Sequence, residues 1–529
     1  MNLPPASNEA APTLARVIPR DSHPISRSKI SPEALRVLYR LREAGFQAFL
    51  VGGCVRDLML GLEPKDFDVA TDALPEQVKR LFRNCRLVGR RFRLAHVFFG
   101  REIIEVATFR ASGGLPEAEE PLPDEEGGEA LDEFRDEDDD GFDDVLDDAE
   151  DGMPRDTNGD IDGNIDPDFR PSPPSAPRGA GEGERVFGAE GRILRDNVYG
   201  SIDEDVWRRD FTCNSLYYNI ADFSVWDYCG GFEDVQAKRL RLIGDPETRY
   251  REDPVRMLRA ARFEAKLGFT YDEATAEPIG RLRSLLAGVP PARLFDETLK
   301  LFLTGHGERS YETLLARGLL AELLPNVADF ARRFPDSPPE RMLRRGLVQT
   351  DRRVREDRPV TPAFLFALLM YGPIGLRIEK APRQLWHDTA TILDAFDHVA
   401  RETCARVAVP RRFMLGVREM FVMQPRLEAP RGRRALRTLE HPRLRAAFDL
   451  LQLRAECGMA DPAIVEWWTK LQAANPQQRA QMSESLGRGA PGGGGPSDDG
   501  GEGGEGGGQR RRRRRGGRGR RGGRGGASA

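Results

Sequence analysis

The stretch FLVGGCVRDLMLGLEPKDFDVAT, residues 49–71, restricts the fold more than any other part of the chain. Phe46 to Val51 is an apolar run of strand length that stops at Gly52-Gly53, a short helix carrying Arg56 and Asp57 follows, and Gly61 to Pro64 turns the chain. Asp66-Phe67-Asp68-Val69-Ala70 then alternates as a second strand. Both carboxylates project to one side, about 7 Å apart at the Cα, while Phe67 and Val69 turn to the core. Glycines without side chains let backbone N–H groups approach a phosphate, and a carboxylate pair suits Mg²⁺, which takes one or two carboxylates plus substrate phosphates. Taken singly, a GG pair is an ordinary turn and Asp-x-Asp an ordinary solvated edge. Their order within one stretch favours a triphosphate seat facing a metal site.

Neighbouring segments extend this start into a small mixed sheet. Ser31 as N-cap, Pro32 at the first helical position, the stripe Leu35, Leu38 and Leu41, and Gly45 past the end announce a helix. Pro75 to Asn84 reads as another helix, and His96–Phe99 with Glu102–Thr108 as a hairpin turned at Gly100-Arg101. Beyond Asp253 the pattern turns helical, with segments at 254–267, 292–303, 308–324, 361–371, 383–404 and 442–458.

Charge is segregated along the 529 residues. The overall −5 conceals an acidic, Gly- and Pro-rich block at 113–186 of roughly −22 and a tail from 487 of roughly +7, so the rest carries roughly +10. Neither segment has the apolar surface to offset its ordering entropy, and both are expected to be disordered. The tail, RRRRRRGGRGRRGGRGG, suits phosphate backbones and base faces. A basic body fits a polyanionic partner. Asp156 to Asp168 alternates acidic residues with Gly but lacks the flanking helices and the terminal Glu of a calcium loop. The six cysteines are scattered without a CxxC pair, as reduced thiols are, and no apolar run reaches membrane-span length, so a cytoplasmic location is expected.

GGCVRDLMLG followed by DFDVAT resembles the first motif of the class II nucleotidyltransferases, the bacterial poly(A) polymerases and CCA-adding tRNA nucleotidyltransferases that extend RNA 3′ ends. The resemblance continues from about residue 30 to 472 outside the insertion. It implies Asp66 and Asp68 as catalytic metal ligands, with Gly52, Gly53 and Arg56 at the nucleotide. RRDFTCN at 208–214 resembles the second motif, which implies Arg209 as a donor fork to phosphate, Asp210 as a further catalytic carboxylate and Asn214 as a hydrogen-bond donor to the nucleotide. Glu105, on a strand face opposite Ile104 and Val106, is a possible third carboxylate or a buried partner of Arg110. Asp227-x-x-Gly230-Gly231 with Asp234 resembles the third motif, a flexible joint or a plain turn. EDPVRMLR at 252–259 resembles the fourth, implying that Asp253 and Arg256 read the base edge, with Arg259 at the triphosphate or RNA; Asp253 can equally cap the following helix. His387-Asp388 has no companion cluster and reads as chance.

GRRFRLAHVFFGREIIEVATFR at 89–110, residues 200–223, residues 243–263 and the Arg-rich helices beyond 406 resemble the poly(A) polymerase branch. The resemblance implies an α+β fold, with a nucleotidyltransferase head followed by an all-α neck, body and RNA-binding region. The expected division is a disordered arm at 1–28, a catalytic domain at 29–240 with its insertion at 113–186, a neck at 241–305, a body at 306–405, an Arg-rich region at 406–486 and the tail at 487–529. The implied activity is template-independent transfer of AMP from ATP to RNA 3′ ends with release of pyrophosphate, by phosphoryl transfer at a two-metal Mg²⁺ site, linked to RNA-decay machinery. CCA addition and a catalytically idle RNA-binding scaffold are the alternatives.

Overall fold

The fold is seen in a computed structural model that describes residues 15–89, 93–100, 102–111, 185–187, 193–196, 199–379 and 388–486. Most of the acidic block, all of the Arg/Gly tail, Arg101 and His387 lie outside these residues.

The head is an eight-stranded mixed sheet. Its strands are β1 (Arg16–Ile18), β2 (Ala48–Val51), β3 (Asp68–Thr71), β4 (Cys85–Val88), β5 (Leu94–Phe99), β6 (Glu102–Thr108), a separate pair β7 (Arg185–Phe187) and β8 (Ile193–Asp196), then β9 (Leu216–Asn219) and β10 (Val225–Asp227). The order across the sheet is β1-β10-β9-β2-β3-β6-β5-β4. Only β3 and β6 run parallel; every other neighbouring pair in this sheet is antiparallel.

Helix α1 (Pro32–Glu43) packs across β2, β3 and β6, with Ser31 Oγ accepting from the Ala34 amide at 3.1 Å, the capping expected from sequence. Helix α2 (Gly53–Met59) follows β2, and α3 (Pro75–Leu81) follows β3. Val69, Ala95, Val97, Ile104 and Val106 all point to the α1 side and are at most 2% exposed. On the opposite face Phe49, Ala70, Phe109 and Tyr217 form a second apolar cluster under α4 (Ile202–Arg208).

Three boundaries differ from the sequence expectation. Residues 15–28 are not a disordered arm: β1 pairs with β10, Ile18 and Ile25 are buried, and His23 Nε2 lies 2.9 Å from the Phe223 carbonyl. A three-residue strand is too short to show a period, and only the edge of β10 gives it partners. The helix from Pro75 stops at Leu81 because Phe82 adopts extended φ/ψ and turns into the core, leaving Cys85–Val88 to form the edge strand β4. Asp66 precedes β3 rather than lying in it, although Phe67 and Val69 are buried as the alternation requires.

Beyond the head come α5 (Gly231–Gln236), α6 (Pro246–Glu252), α7 (Val255–Leu267) and the helix Pro291–Phe302, then a continuous helical body. Gly318, at φ +69°, breaks the helix expected over 308–324 into Gly307–Ala316 and Leu319–Leu323. Asp388 caps the helix Thr389–Arg406, accepting from the amides of Ala390 and Thr391, so its role is structural. Among the described residues Pro362–Glu379 is long and apolar enough to cross a membrane, contrary to the sequence expectation, but most of it is buried inside the helical core.

Candidate active site

The end of β2 and the start of β3 bring the glycine turn onto the carboxylates. Val51 and Asp68 are opposite one another, and Gly52 takes φ +81°, a conformation that excludes most side chains. A Cβ on Gly52 would sit 3.7 Å from Asp68 Oδ2, so its absence leaves that oxygen uncovered. Asp66 is exposed at the strand entrance and Asp68 is half-buried. Parallel pairing sets Glu105 in register beside Asp68, on the face away from the core. Glu105 lies 3.4 Å from His96 Nε2, and its side chain is 49% exposed rather than buried.

Burial, then the charge of Glu105, push the Asp68 carboxyl up to about 6; Arg209 works against this rise and Asp66 adds to it. Acidic oxygens short of positive charge, on a turn without side chains, fit a hard divalent cation. No group of three or more metal-ligating side chains is assembled among the described residues, so Asp66 and Asp68 would serve as two ligands with substrate oxygens completing the shell.

The second motif is pulled in two directions. Arg209 follows α4; its Nε donates to Tyr217 Oη at 2.7 Å, and Nε and Nη2 donate to Asp205 Oδ2 at 3.2 and 2.9 Å. Its charge still reaches Asp68, but its fork is held internally rather than offered whole to phosphate. Asp210 turns the other way, across to α7. Its Oδ2 accepts from Arg259 Nε and Nη2 at 2.8 and 2.5 Å, and its Oδ1 accepts from the Phe211 amide at 2.8 Å and Asn214 Nδ2 at 3.4 Å. Burial alone would raise its pKa, but the Arg259 guanidinium outweighs that and holds the carboxyl down to about 2. Of the two candidates for a third carboxylate, Glu105 is in register beside Asp68, while Asp210 is paired with Arg259.

Arg56 and Asn214 are likewise committed inward. Arg56 is 2% exposed; Nε and Nη2 donate to Asp57 Oδ1, and Nη1 donates to Asn214 Oδ1 at 2.5 Å. The pair ties α2, which begins at Gly53, to the second motif. The guanidiniums of Arg56, Arg259 and Arg262 gather around the Phe263 ring at 5.6, 5.9 and 4.7 Å.

At the third motif Asp227 accepts from the amides of Cys229, Gly230, Gly231 and Phe232 at 2.9 to 3.0 Å. Asp234, fully buried, accepts from Thr212 Oγ1, Arg239 and Arg241. A Cβ on Gly231 would fall 2.1 Å from the Thr212 carbonyl oxygen. These contacts make the turn densely hydrogen-bonded and closely packed.

At the fourth motif Glu252 accepts from Arg249 Nη1 and Arg256 Nη1 at 2.7 and 3.0 Å, and Arg249 Nη2 donates to the carbonyls of Arg208 and Arg209 at 3.0 and 2.6 Å. Asp253 accepts from Val255 N at 3.3 Å and forms a two-pronged pair with Arg293 at 2.8 and 2.6 Å. Arg293, on the helix Pro291–Phe302, was missed from sequence, as were Asp205 and Tyr217 behind Arg209. The only local signal was an arginine early in an apolar-striped helix, which specifies no partner.

Three family profiles match this framework: the poly A polymerase head domain at residues 48–138 and 181–241, the probable RNA and SrmB-binding site of polymerase A at 268–330, and the polymerase A arginine-rich C-terminus at 385–518. Poly(A) polymerase I of Escherichia coli O157:H7 is 44% identical over 487 residues, covering 90% of this chain and 91% of that protein. The chain belongs to the poly(A) polymerase family. Poly(A) polymerase I of Haemophilus influenzae is 40% identical over 88% of this chain and 89% of its own. The CCA-adding enzyme of Bacillus subtilis is 31% identical over 56% of each chain. As a member of the poly(A) polymerase family the chain is a nucleotidyltransferase, a polynucleotide adenylyltransferase.

Proposed function

We propose that this polymerase transfers AMP from ATP to RNA 3′ hydroxyls without a template, releasing pyrophosphate, with Asp66 and Asp68 holding Mg²⁺ and Glu105 completing the acidic face. The observation that carries it is the likeness to poly(A) polymerase I along 90% of the chain, through the Arg-rich helices, whereas the CCA-adding likeness spans 56%. Bound at Asp66 and Asp68, Mg²⁺ supplies positive charge to the polyphosphate and to the attacking hydroxyl. Although burial and Glu105 raise its carboxyl to about 6, Asp68 is largely ionised at neutral pH, and an added cation relieves the repulsion it meets there. The Gly52-Gly53 turn lets backbone amides approach the phosphates, with Arg56 and Asn214 fixing its position. Asp253, oriented by Arg293, and Arg256, braced by Glu252, select adenine from the side of α7, because a wrong base leaves buried donors and acceptors unpaired.

RNA occupies the basic surfaces of the body and the Arg-rich region. A cytoplasmic setting and association with RNA-decay machinery complete the reading, in keeping with six free thiols, most of them buried. The test supplies purified protein with ATP alone, CTP alone or both, on unstructured RNA and on tRNA lacking its 3′ end. Long A tails on unstructured RNA with ATP alone are expected; ordered CCA addition confined to tRNA would overturn the reading. A chain carrying Asp66→Ala with Asp68→Ala is expected to add nothing.

A further inference from the structure

The row that contains the carboxylates does not stop at Glu105. Register pairing carries it from Asp68 on β3 to Glu105 on β6, His96 on β5 and Arg86 on the edge strand β4. Two residues along, the same face bears Phe98 and Ile103, which are also opposite one another. The reverse face of these strands is core, with Ala95, Val97 and Ile104 fully buried. The row face is not: Ile103 is 37% exposed, Arg86 is exposed and Phe98 is half-buried. The Arg86 guanidinium lies over the Phe98 ring at 5.7 Å, and the His96 and Phe98 rings meet at 6.4 Å and 63°.

An aromatic ring flanked by a guanidinium and an imidazole, with an aliphatic side chain beside it, is the chemistry that receives unpaired bases: faces stack on the ring and the cation meets the backbone. Its place adjoins the proposed reaction centre. Three strand spacings separate Asp68 from Arg86, about 14 Å, a span of about four stacked nucleotides at ~3.4 Å each.

We propose that the outward face of β4, β5 and β6, made by Arg86, His96, Phe98 and Ile103, is a stacking platform for the last unpaired nucleotides of the RNA being extended. It rests on the reading of Asp66 and Asp68 as the centre of AMP transfer. The platform holds the 3′ end against the carboxylates by ring and backbone contacts that ignore base identity, as a primer that is rewritten at each addition requires.

The test is steady-state kinetics of the full chain with a short oligo(A) primer, varying primer and ATP separately, for Phe98→Leu, Phe98→Trp and Arg86→Gln. Phe98→Leu keeps an apolar side chain but no ring, and is expected to raise the primer KM about tenfold with the ATP KM unchanged. Phe98→Trp restores it. Arg86→Gln raises the primer KM and lowers the salt slope of primer binding by about 0.7, the loss of one phosphate contact to a single strand. A primer carrying 4-thiouridine as its last nucleotide is expected to crosslink to the peptide containing Phe98, even in an Asp68→Asn chain that does not turn over. Equal primer KM in Phe98→Leu and the parent, equal loss in the Leu and Trp variants, or a change confined to ATP would each overturn the platform. If the parent chain adds no AMP, the proposed activity fails, whereas the crosslink still reports on the platform.

Discussion

Replacing Asp68 by Asn is expected to stabilise the metal-free protein while abolishing AMP transfer. The Asp68 carboxyl stands at about 6 in the fold against an ordinary 3.8, because burial and the neighbouring Glu105 disfavour its charge. A rise of about two units corresponds to ~3 kcal/mol of destabilisation once the group is ionised in both folded and unfolded chains. The sign follows from proton binding. Below about pH 3.8 the group is protonated in both states and costs nothing; the cost grows as pH rises and is complete above about 6. Asparagine carries no charge, so the gain is expected to be ~3 kcal/mol at pH 8 and about half that at pH 5. Urea unfolding in EDTA at the two pH values measures it, alongside AMP incorporation with Mg²⁺ present. An Asp68→Asn chain no more stable than its parent at pH 8, or a gain independent of pH, would refute the electrostatic account of this site.

The Asp210–Arg259 pair joins the second motif to α7 and is partly solvated on the Arg259 side, so Asp210→Asn or Arg259→Gln is expected to cost about 2–3 kcal/mol each. The double variant should cost well under the sum; strict additivity in urea melts would show that the pair is not the source. Arg293→Lys keeps the charge but loses the two-pronged hold on Asp253, and is expected to narrow the preference for ATP over CTP about tenfold, read as the ratio of kcat/KM values. Deleting residues 115–180, roughly −20 in charge and outside the described fold, should tighten RNA binding at low salt and change it little at high salt; an affinity unchanged at low salt excludes competition between that block and RNA.

Local periodicity carried much of the architecture. Ser31-Pro32 placed the start of α1, the alternation Phe67-Asp68-Val69 assigned faces correctly, and Ile104-Glu105-Val106 put Glu105 on the face opposite its two neighbours while leaving open whether it was buried. The motif arginines were found but their commitments were not. Arg56 meets Asn214 across 158 residues, Asp210 meets Arg259 across 49 and Asp253 meets Arg293 across 40, and no periodicity encodes such encounters. The guanidiniums expected to face phosphate also have partners within the protein that the sequence did not indicate. β1 and β4 were missed because strands of three and four residues depend on an existing edge rather than on their own pattern.

One peptide unit, Arg209–Asp210, links two charge systems. On one side Arg209 moderates the proton affinity of Asp68; on the other Asp210 is clasped by Arg259 of the helix that begins two residues after Asp253, and Arg249 grips the carbonyls of Arg208 and Arg209. A displacement of that helix is therefore carried through Arg259 and Arg249 to the backbone from which Arg209 projects, and so to the positive charge that Asp68 meets.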